Sequence, residues 1–337
     1  MPASKRKQKI HKPPILFERS QRIIGKLEKH LGSRFVAYWT SQSGSVCQDD
    51  VVVLYEHCSE FGPEKEPISM FVKSDGGSGR AALRIINLLR RYTSHLTAMI
   101  PLECASAATM MALGADEIHM GPMGYLTAID ASLRHELSPT DIDNELVSVS
   151  QDELTRVLRL WKAHTKETDK NPLEALMPYV HPLVVGAVDR ASSLSIRLCR
   201  EILSYHMKDA KRAERISAHL NSEYPSHNYP ITEIEARRIG LNIKHLDAKV
   251  NELLLELHQV YSEMGQKALT DHDEQNYHNN EISNIVERRG KMIYYQTDKD
   301  WHYRREERRW VPLNDNSSWR RVERVKGRTK HSVLHIR

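Results

Sequence analysis

Two short segments, each placed between an apolar run and a helical pattern, constrain this chain more than any other feature of its sequence. Residues 74–79 read Ser-Asp-Gly-Gly-Ser-Gly and follow the apolar run 68–72, and residues 104–109 read Cys-Ala-Ser-Ala-Ala-Thr and follow the apolar run 96–100. A strand, a turn and a helix in that order are typical of layered α/β proteins. Two such units in succession predict two turns side by side at the carboxyl edge of one parallel sheet, where open α/β folds bind their ligands.

The two turns offer different chemical groups. Gly76 and Gly77 have no Cβ, so their backbone N–H groups can turn into a cleft. Ser106 stands where a helix is predicted to begin, and the unpaired N–H groups at such a position favour an anion. An attacking hydroxyl beside such donors is what acyl transfer requires. Taken separately, the glycine pair is also typical of an ordinary turn or a phosphate-binding loop, although the Lys-Ser/Thr end of that loop is absent, and the serine is also typical of a helix N-cap.

Four blocks of the sequence, in the same order, resemble the Clp/crotonase superfamily. They are residues 72–77, 100–110, 113–121 and 226–232, the last followed by matches at 235–236 and 239–241. Within the superfamily the chain is most similar to the serine dehydrogenase proteinase family, relatives of signal peptide peptidase A, over residues 20–245. The resemblance implies a serine peptidase with a layered β-sheet, flanking helices and Ser106 as the nucleophile. It also implies oxyanion donors from the N–H groups of Gly76 or Gly77 and of Ala107.

The chain departs from the family pattern at three places. Asp75 replaces the usual proline of Ser-Pro-Gly-Gly, Ala108 replaces a glycine that often follows the serine, and residues 131–132 are Ala-Ser instead of Pro-Gln. None of these changes removes an atom that the chemistry needs. We expect the negative charge of Asp75 to weaken a neighbouring anion hole.

The general base is the part of the site for which the sequence leaves alternatives open. Asp130 occupies the position where Clp peptidases carry a histidine, so their Ser-His-Asp assignment does not transfer. Relatives of signal peptide peptidase A use a lysine on a later helix, and Lys162 lies at a comparable place, although it is also typical of a solvated lysine on an amphipathic helix. His119 and His135 are the alternative bases. We interpret His227, which lies in the fourth block, as making a structural hydrogen bond.

The pattern of strands and helices divides the chain into three parts. Residues 1–14 are expected to form a disordered basic arm, residues 15–264 a Clp/crotonase-like peptidase domain, and residues 265–337 a basic extension rich in Trp and Arg. Within the domain, alternating strands and helices give way to a helical half from about residue 151. The extension carries Trp at positions 301, 310 and 319, with arginine pairs between them, and is expected to lie outside the main core.

The composition of the chain argues against a membrane-spanning protein, a secreted protein and a fold held together by metal ions or disulfides. The chain has 337 residues, of which 40% are hydrophobic, and no apolar run approaches the ~20 residues that cross a bilayer. Its four cysteines show neither the spacing of metal ligands nor the density of a disulfide framework. The first residues are basic, but the apolar segment that completes a secretory signal does not follow them, so we do not expect such a signal. We therefore expect a cytoplasmic setting. Residues 1–12 carry a net charge of +5 and residues 288–337 one of +9, which leaves −9 for residues 13–287.

These observations favour hydrolysis of peptide bonds through an acyl-enzyme on Ser106, with a peptide or protein as substrate and with neither metal nor organic cofactor. The resemblance also implies a homo-oligomer with a shielded site. Three alternatives remain. One is a catalytically inactive scaffold that kept the fold, and another is a crotonase-type acyl-thioester enzyme that uses the oxyanion donors alone. The third is a nucleic-acid-associated protein acting through the basic tail, which could equally dock on the acidic body.

Overall fold

The computed structural model describes residues 10–141, 146–164 and 171–336. The described helices are α1 (Phe17–Leu31), α2 (Asp49–Cys58), α3 (Gly79–Tyr92), α4 (Ala107–Leu113), α5 (Gln151–His164), α6 (Pro172–Leu176), α7 (Pro182–Ser204), α8 (Ala210–Ser222), α9 (Glu233–Arg238) and α10 (Ala248–Met264). The described strands are β1 (Arg34–Thr40), β2 (Ile68–Lys73), β3 (Leu96–Ile100), β4 (Glu103–Cys104), β5 (Glu117–Met120), β6 (Tyr125–Leu126), β7 (Ser132–Leu133), β8 (Val149–Ser150), β9 (Ile243–His245), β10 (Ala268–Asp273), β11 (Asn276–Arg288), β12 (Lys291–Arg304), β13 (Arg309–Asp315), β14 (Ser318–Val325) and β15 (Arg328–Leu334).

One large mixed sheet organises the molecule, with helices on its faces. Its strand order is β15-β14-β12-β11-β1-β2-β3-β5-β9, with β10 beside β11 and β13 beside β12. In this sheet β1, β2, β3, β5 and β9 pair in parallel, whereas β11 pairs antiparallel with β1 and the strands from β10 onward pair antiparallel with one another. The mixed α/β class and the flanking helices expected from the sequence are therefore present.

The parallel strands β1 and β2 are buried on both faces, as parallel strands usually are. Every residue of β2 is buried, and alternate residues of β1 enter two different apolar clusters. Tyr38 packs in the cluster covered by α2, α3 and α4, whereas Trp39 packs in the cluster covered by α1 and α10. The sheet is thus held between two layers of helices, which fixes the strand ends from which the turns emerge.

The helix after the first turn forms for local reasons that the sequence shows. The side chain of Ser78 accepts a hydrogen bond from the N–H of Ala81, which caps the first turn of α3. The apolar residues of the helix recur at helical spacing and are buried, namely Ala81, Ala82, Ile85, Ile86 and Leu89. None of the helices in the described ranges combines the length and the apolar character that crossing a membrane requires.

The structure differs from the sequence-based expectation in the C-terminal extension, which continues the main sheet instead of lying outside the core. Strand β11 pairs antiparallel with β1, and Ile285, Val286 and Trp319 are fully or almost fully buried. The indole N–H of Trp319 donates to Asp49 at 3.1 Å. The polar composition of this segment concealed its strands because their apolar residues are spread among polar and charged ones, several of which are themselves buried, such as Asn280, Glu287 and Lys291.

Part of the basic tail does dock on the acidic body, as one of the alternatives proposed. Arg321 forms an ion pair with Glu56 at 3.4 Å, and Arg324 forms one with Glu18 at 2.6 Å. Arg288 also forms an ion pair with a body residue, Glu60. These contacts use arginines that a nucleic-acid surface would need to keep free.

Candidate active site

Ser106 lies at the junction of β4 and α4 in a backbone conformation that few residues adopt. Its φ and ψ angles are 53° and −116°, and it is one of three described non-glycine residues with a positive φ. Such a conformation costs about 1–3 kcal/mol and persists where the surroundings enforce it, which is common at functional sites. A serine on a strained turn between a strand and a helix presents its hydroxyl at the edge of the sheet, and Ser106 is only half-buried there.

A chain of hydrogen bonds holds this turn in place. The backbone N–H of Ser106 donates to the hydroxyl oxygen of Thr127 at 2.9 Å. The backbone N–H of Thr127 donates to the hydroxyl oxygen of Thr109 at 3.1 Å, and the Thr109 hydroxyl donates to the carbonyl oxygen of Cys104 at 2.8 Å. The strained serine is therefore tied to both α4 and the following segment, and its own N–H is already used.

The glycine turn packs directly against the serine. Gly76 has a φ of 105°, and a Cβ built on it would lie 2.6 Å from the Cβ of Ser106 and 2.8 Å from the carbonyl oxygen of Ala105. No side chain fits in that space. Glycine is needed at this position both for the conformation and for the close approach of the two turns.

The hydrogen bonds of the glycine turn distinguish between its two possible oxyanion donors. The N–H of Gly76 donates to the hydroxyl oxygen of Ser74 at 3.2 Å. Val46 bonds to both sides of Gly77, because its N–H donates to the carbonyl of Gly76 at 2.7 Å and its carbonyl accepts from Ser78 at 2.8 Å. Gly77 itself is left with a backbone N–H that has no acceptor among the described residues and faces away from Val46.

A second free donor lies at the start of α4. The N–H of Ala107 belongs to the first helical residue, where no intrahelical acceptor exists, and it has no other acceptor in the described part of the chain. Gly77 and Ala107 both line the cavity beside Ser106. The structure therefore brings together the serine hydroxyl and two unpaired backbone donors, which is the arrangement that stabilises a developing oxyanion.

An antiparallel contact brings a histidine and a carboxylate to the same place. Leu126 and Ile231 exchange backbone hydrogen bonds of 3.0 and 2.8 Å. Asp130 follows Leu126 by four residues and His227 precedes Ile231 by four, so this isolated bridge brings the two segments together. The Nδ1 atom of His227 lies 2.7 Å from an oxygen of the Asp130 carboxylate. This hydrogen bond raises the pKa of His227 above its usual value near 6.5, against the opposing effect of burial.

One cavity of about 400 Å³ unites these groups. Its polar residues include Ser106, Asp130 and His227, with the two free backbone donors at its rim. Its apolar walls come from α4, α7 and the segment before Asp130, and the larger of these side chains are Met110, Ile129, Leu194 and Leu198. Within the described ranges, no group of three or more His, Cys, Asp or Glu side chains is arranged to hold a metal ion.

The other bases considered from the sequence lie elsewhere. Lys162 is exposed near the end of α5, beside the exposed side chain of Trp161, and is not among the described residues that line the cavity. His119 lies on β5, where its Nε2 atom is 3.0 Å from a carboxylate oxygen of Glu117. His135 lies in a turn and accepts a hydrogen bond from the N–H of Leu137. Neither histidine lines the cavity.

Asp75 does not point at the donors of the site. It is exposed and lines a separate cavity on the other side of the turn, together with Lys73 and Glu103. Sequence reasoning assigned His227 a structural hydrogen bond and did not connect it with the site. The available signals were its place in the fourth block of the resemblance and the carboxylate at position 130.

No model of a known protein family matches this chain. Among curated proteins it is similar to two uncharacterized proteins of Methanocaldococcus jannaschii. One is 24% identical over 201 residues, which are 60% of this chain and 60% of that protein, and the other is 24% identical over 193 residues, 57% of each. The chain therefore spans about 60% of the length of the curated relatives it matches.

Solved structures also show a likeness. A mutant of the 1510-N membrane-bound stomatin-specific protease is 14% identical and has a TM-score of 0.37, with 70% of this chain and 88% of that one covered. Another mutant of that protease, in complex with a substrate peptide, is 15% identical and has a TM-score of 0.35, with 69% and 82% covered. A mutant of ClpP1 from Listeria monocytogenes is 13% identical and has a TM-score of 0.37, with 67% and 99% covered.

Proposed function

We propose that this chain is a serine peptidase in which Ser106 attacks the carbonyl carbon of a peptide bond. His227 acts as the general base, and Asp130 orients its ring and stabilises its charged form. The N–H groups of Gly77 and Ala107 receive the oxyanion. The observation that carries this proposal is the shared cavity, in which a strained serine, a histidine–carboxylate pair and two unpaired backbone donors meet.

The roles follow from the atoms that remain available. Because Nδ1 of His227 is engaged by Asp130, the other ring nitrogen is the one that can accept a proton, and Nε2 makes no hydrogen bond within the described ranges. Transfer of the Ser106 proton to Nε2 frees the hydroxyl oxygen to form a bond with the carbonyl carbon. The C–N bond then breaks as Nε2 returns the proton to the leaving amine. Water, deprotonated by the same nitrogen, releases the acyl group from Ser106.

The resemblance of the four sequence blocks supports peptide bonds as the substrate class, and the geometry agrees with it. A crotonase-type acyl-thioester enzyme would need the two backbone donors but not a serine supplied with a base. The pairing of Asp130 with His227 beside Ser106 favours the peptidase. Lys162 is exposed and does not line the cavity in the described structure, so the geometry favours His227 as the base.

The test is the reaction of the full chain with a fluorophosphonate, followed by intact mass measurement. We expect one adduct on the wild type, none on Ser106→Ala, and a rate reduced at least a hundredfold in His227→Gln. Lys162→Met separates the two assignments of the base. Rapid labelling of Lys162→Met agrees with the proposal. If Lys162→Met is not labelled and His227→Gln is labelled at the wild-type rate, the base is the lysine.

The same variants are then assayed with casein and with short peptides. Hydrolysis by the wild type that disappears in Ser106→Ala supports the peptidase. Turnover of acyl thioesters by Ser106→Ala, without peptide hydrolysis by the wild type, would instead favour the thioester enzyme.

We also propose that the chain assembles with copies of itself. The helical half carries large apolar side chains in solvent, among them Leu160, Tyr179 and Leu183, which are 58%, 78% and 61% exposed. Exposed apolar side chains mark an interface when they lie together as one patch, which is the arrangement we propose for them. Sedimentation velocity at micromolar concentration tests this, and a single monomeric species would contradict it.

A further inference from the structure

The cavity beside Ser106 is lined by one cationic residue that has no partner among the residues the structure describes. Three charged or titratable side chains line the cavity, namely Arg80, Asp130 and His227. Asp130 and His227 engage each other at 2.7 Å. Arg80 is exposed and makes no ion pair or hydrogen bond with any described residue. The other described residues of the lining are apolar or carry neutral hydroxyl groups, so Arg80 is the charged lining residue that lacks a counterion within the described ranges.

The position of Arg80 relates it to the reacting atoms. It is the second residue of α3 and follows the oxyanion donor Gly77 by three residues, on the same rim of the cavity. The N-terminal end of α3, which spans 14 residues, adds a positive potential at this rim. The nearest carboxylate in the sequence, Asp75, lines the separate cavity and does not neutralise the arginine.

The next arginine along the helix behaves differently. Arg84 lies one turn later and donates a hydrogen bond to the side chain of Gln48. It does not line the cavity in the described structure. The two arginines therefore share a helix and a charge but only Arg80 faces the space that a substrate would occupy, which makes Arg84 a matched control.

We propose that Arg80 is a specificity-determining residue that selects peptides carrying a carboxylate close to the scissile bond. The inference rests on the proposed peptidase function. A guanidinium binds a carboxylate through two parallel hydrogen bonds, which gives both affinity and orientation. The carboxylate has two possible sources, the terminal carboxylate of a peptide and the side chain of Asp or Glu, and the apolar walls would take neighbouring apolar side chains.

The test compares matched peptides on the full-length protein. The panel consists of heptapeptides of Leu and Ala in which each position in turn carries Glu, Gln or Lys, each made with a C-terminal acid and with a C-terminal amide. Products are quantified by mass spectrometry to give kcat/KM for the wild type, Arg80→Gln, Arg80→Glu and Arg84→Gln. Binding of the same peptides to Ser106→Ala, alone and combined with Arg80→Gln, is measured by calorimetry.

We expect the wild type and Arg84→Gln to prefer the carboxylate-bearing member of a pair by about tenfold, the effect of one charge-assisted contact. The ratio of kcat/KM for the carboxylate-bearing peptide to kcat/KM for its neutral partner should fall to about one in Arg80→Gln. Arg80→Glu should prefer Lys-bearing peptides. A preference confined to acid over amide assigns the terminal carboxylate, and one confined to Glu over Gln assigns the side chain.

If the wild type and Arg80→Gln hydrolyse peptides with the same kcat/KM ratio between the carboxylate-bearing and neutral members of a pair, the inference is overturned and the proposed function stands. If the wild type cleaves no peptide but Ser106→Ala binds carboxylate peptides only when Arg80 is present, the inference stands and the proposed function fails. If the wild type cleaves no peptide and Ser106→Ala binds none, both are overturned.

Discussion

The ammonium nitrogen of Lys73 lies 2.8 Å from a carboxylate oxygen of Glu103, and this ion pair joins the end of β2 to the start of β4, the two strands that lead into the candidate active site. Lys73 is almost fully buried and also donates to the carbonyl of Thr40 at 3.0 Å. The lysine lowers the pKa of Glu103 against the effect of burial. Directly after the pair, the N–H of Ser74 donates to the carbonyl of Glu103 at 3.2 Å, and the N–H of Ala105 donates to the carbonyl of Ser74 at 2.9 Å.

Removal of one member of this pair should destabilise the protein more than removal of both. Glu103→Leu leaves a buried ammonium group without a partner, which we expect to cost about 3 kcal/mol. Lys73→Met leaves a carboxylate that is a quarter exposed, and its cost should be smaller. The double variant should recover most of the loss. Urea unfolding of the three variants checks this, and additive losses would show that the two side chains do not act as a pair.

Replacement of Thr127 should loosen the strained turn of Ser106. The Thr127 hydroxyl accepts the serine N–H, so Thr127→Val removes the acceptor and leaves a buried donor unpaired. We expect the rate of fluorophosphonate labelling to fall about a hundredfold, as for a misplaced reacting group. Thr127→Ser keeps the hydroxyl and should restore most of the rate. Equal labelling of the valine and serine variants would contradict a positioning role for the hydroxyl.

Gly76→Ala should abolish labelling of Ser106. The added methyl group would collide with the Cβ of Ser106, and a φ of 105° is unfavourable for alanine. Because the neighbouring atoms belong partly to the backbone, the two turns must move apart. Gly62→Ala is the matched control, since its Cβ would meet no atom within 4 Å. Labelling kinetics and thermal unfolding of both variants test this, and a reactive Gly76→Ala would mean that the turns are separable.

The sequence predicts the local parts of this fold because their signals lie within a few residues of one another. The apolar run that became β2, the glycines after it and the capped helix α3 are contiguous, so the turn of Gly76 and Gly77 follows from the order of residues. The same holds for Ser106 at the start of α4. Which of the two glycines offers a free N–H as an oxyanion donor depends on the hydrogen bonds of Ser74 and Val46, and no local pattern in the sequence encodes these bonds.

The parts that the sequence does not reveal depend on contacts between distant segments. His227 and Asp130 are separated by 97 residues, and they meet near the isolated bridge that joins Leu126 to Ile231. Strand β11 likewise joins the sheet beside β1, from which it is separated by most of the chain. Composition is averaged along the chain, so it described the C-terminal segment as polar although Ile285, Val286 and Trp319 are buried there together with polar residues such as Glu287.

The pH dependence of labelling should report the pairing of His227 with Asp130. Since the protonated ring cannot accept the serine proton, the rate should rise as the pH passes upward through a pKa above the usual value near 6.5. Asp130→Asn removes the bond that raises this pKa, so the midpoint should move to lower pH, and the maximal rate should fall on the order of 10³–10⁴-fold. Glu117→Gln, which disturbs the unrelated pair with His119, is the control. An unchanged midpoint in Asp130→Asn would refute the pairing.

The buried carboxyl of Glu287 should make the folded state less stable as the pH rises. The Ser20 hydroxyl, the Gln21 amide and the Tyr261 hydroxyl donate to it at 2.7, 2.7 and 2.8 Å, which fastens β11 to α1 and α10. Burial nevertheless raises its pKa from 4.5 to about 7. The folded protein therefore retains a proton that the unfolded chain has already released between these values, and stability is lost as the pH rises through this window.

The loss is on the order of 3 kcal/mol between pH 4.5 and 7, since each unit of pKa difference corresponds to about 1.4 kcal/mol. Glu287→Gln has no proton to release, so its free energy of unfolding should decline less over the same range. Urea unfolding of the wild type and Glu287→Gln at pH 5 and pH 8 measures this difference. If the two proteins differ by the same amount at both pH values, the Glu287 carboxyl is already ionised in the folded state at pH 5, and its three donors outweigh the effect of burial.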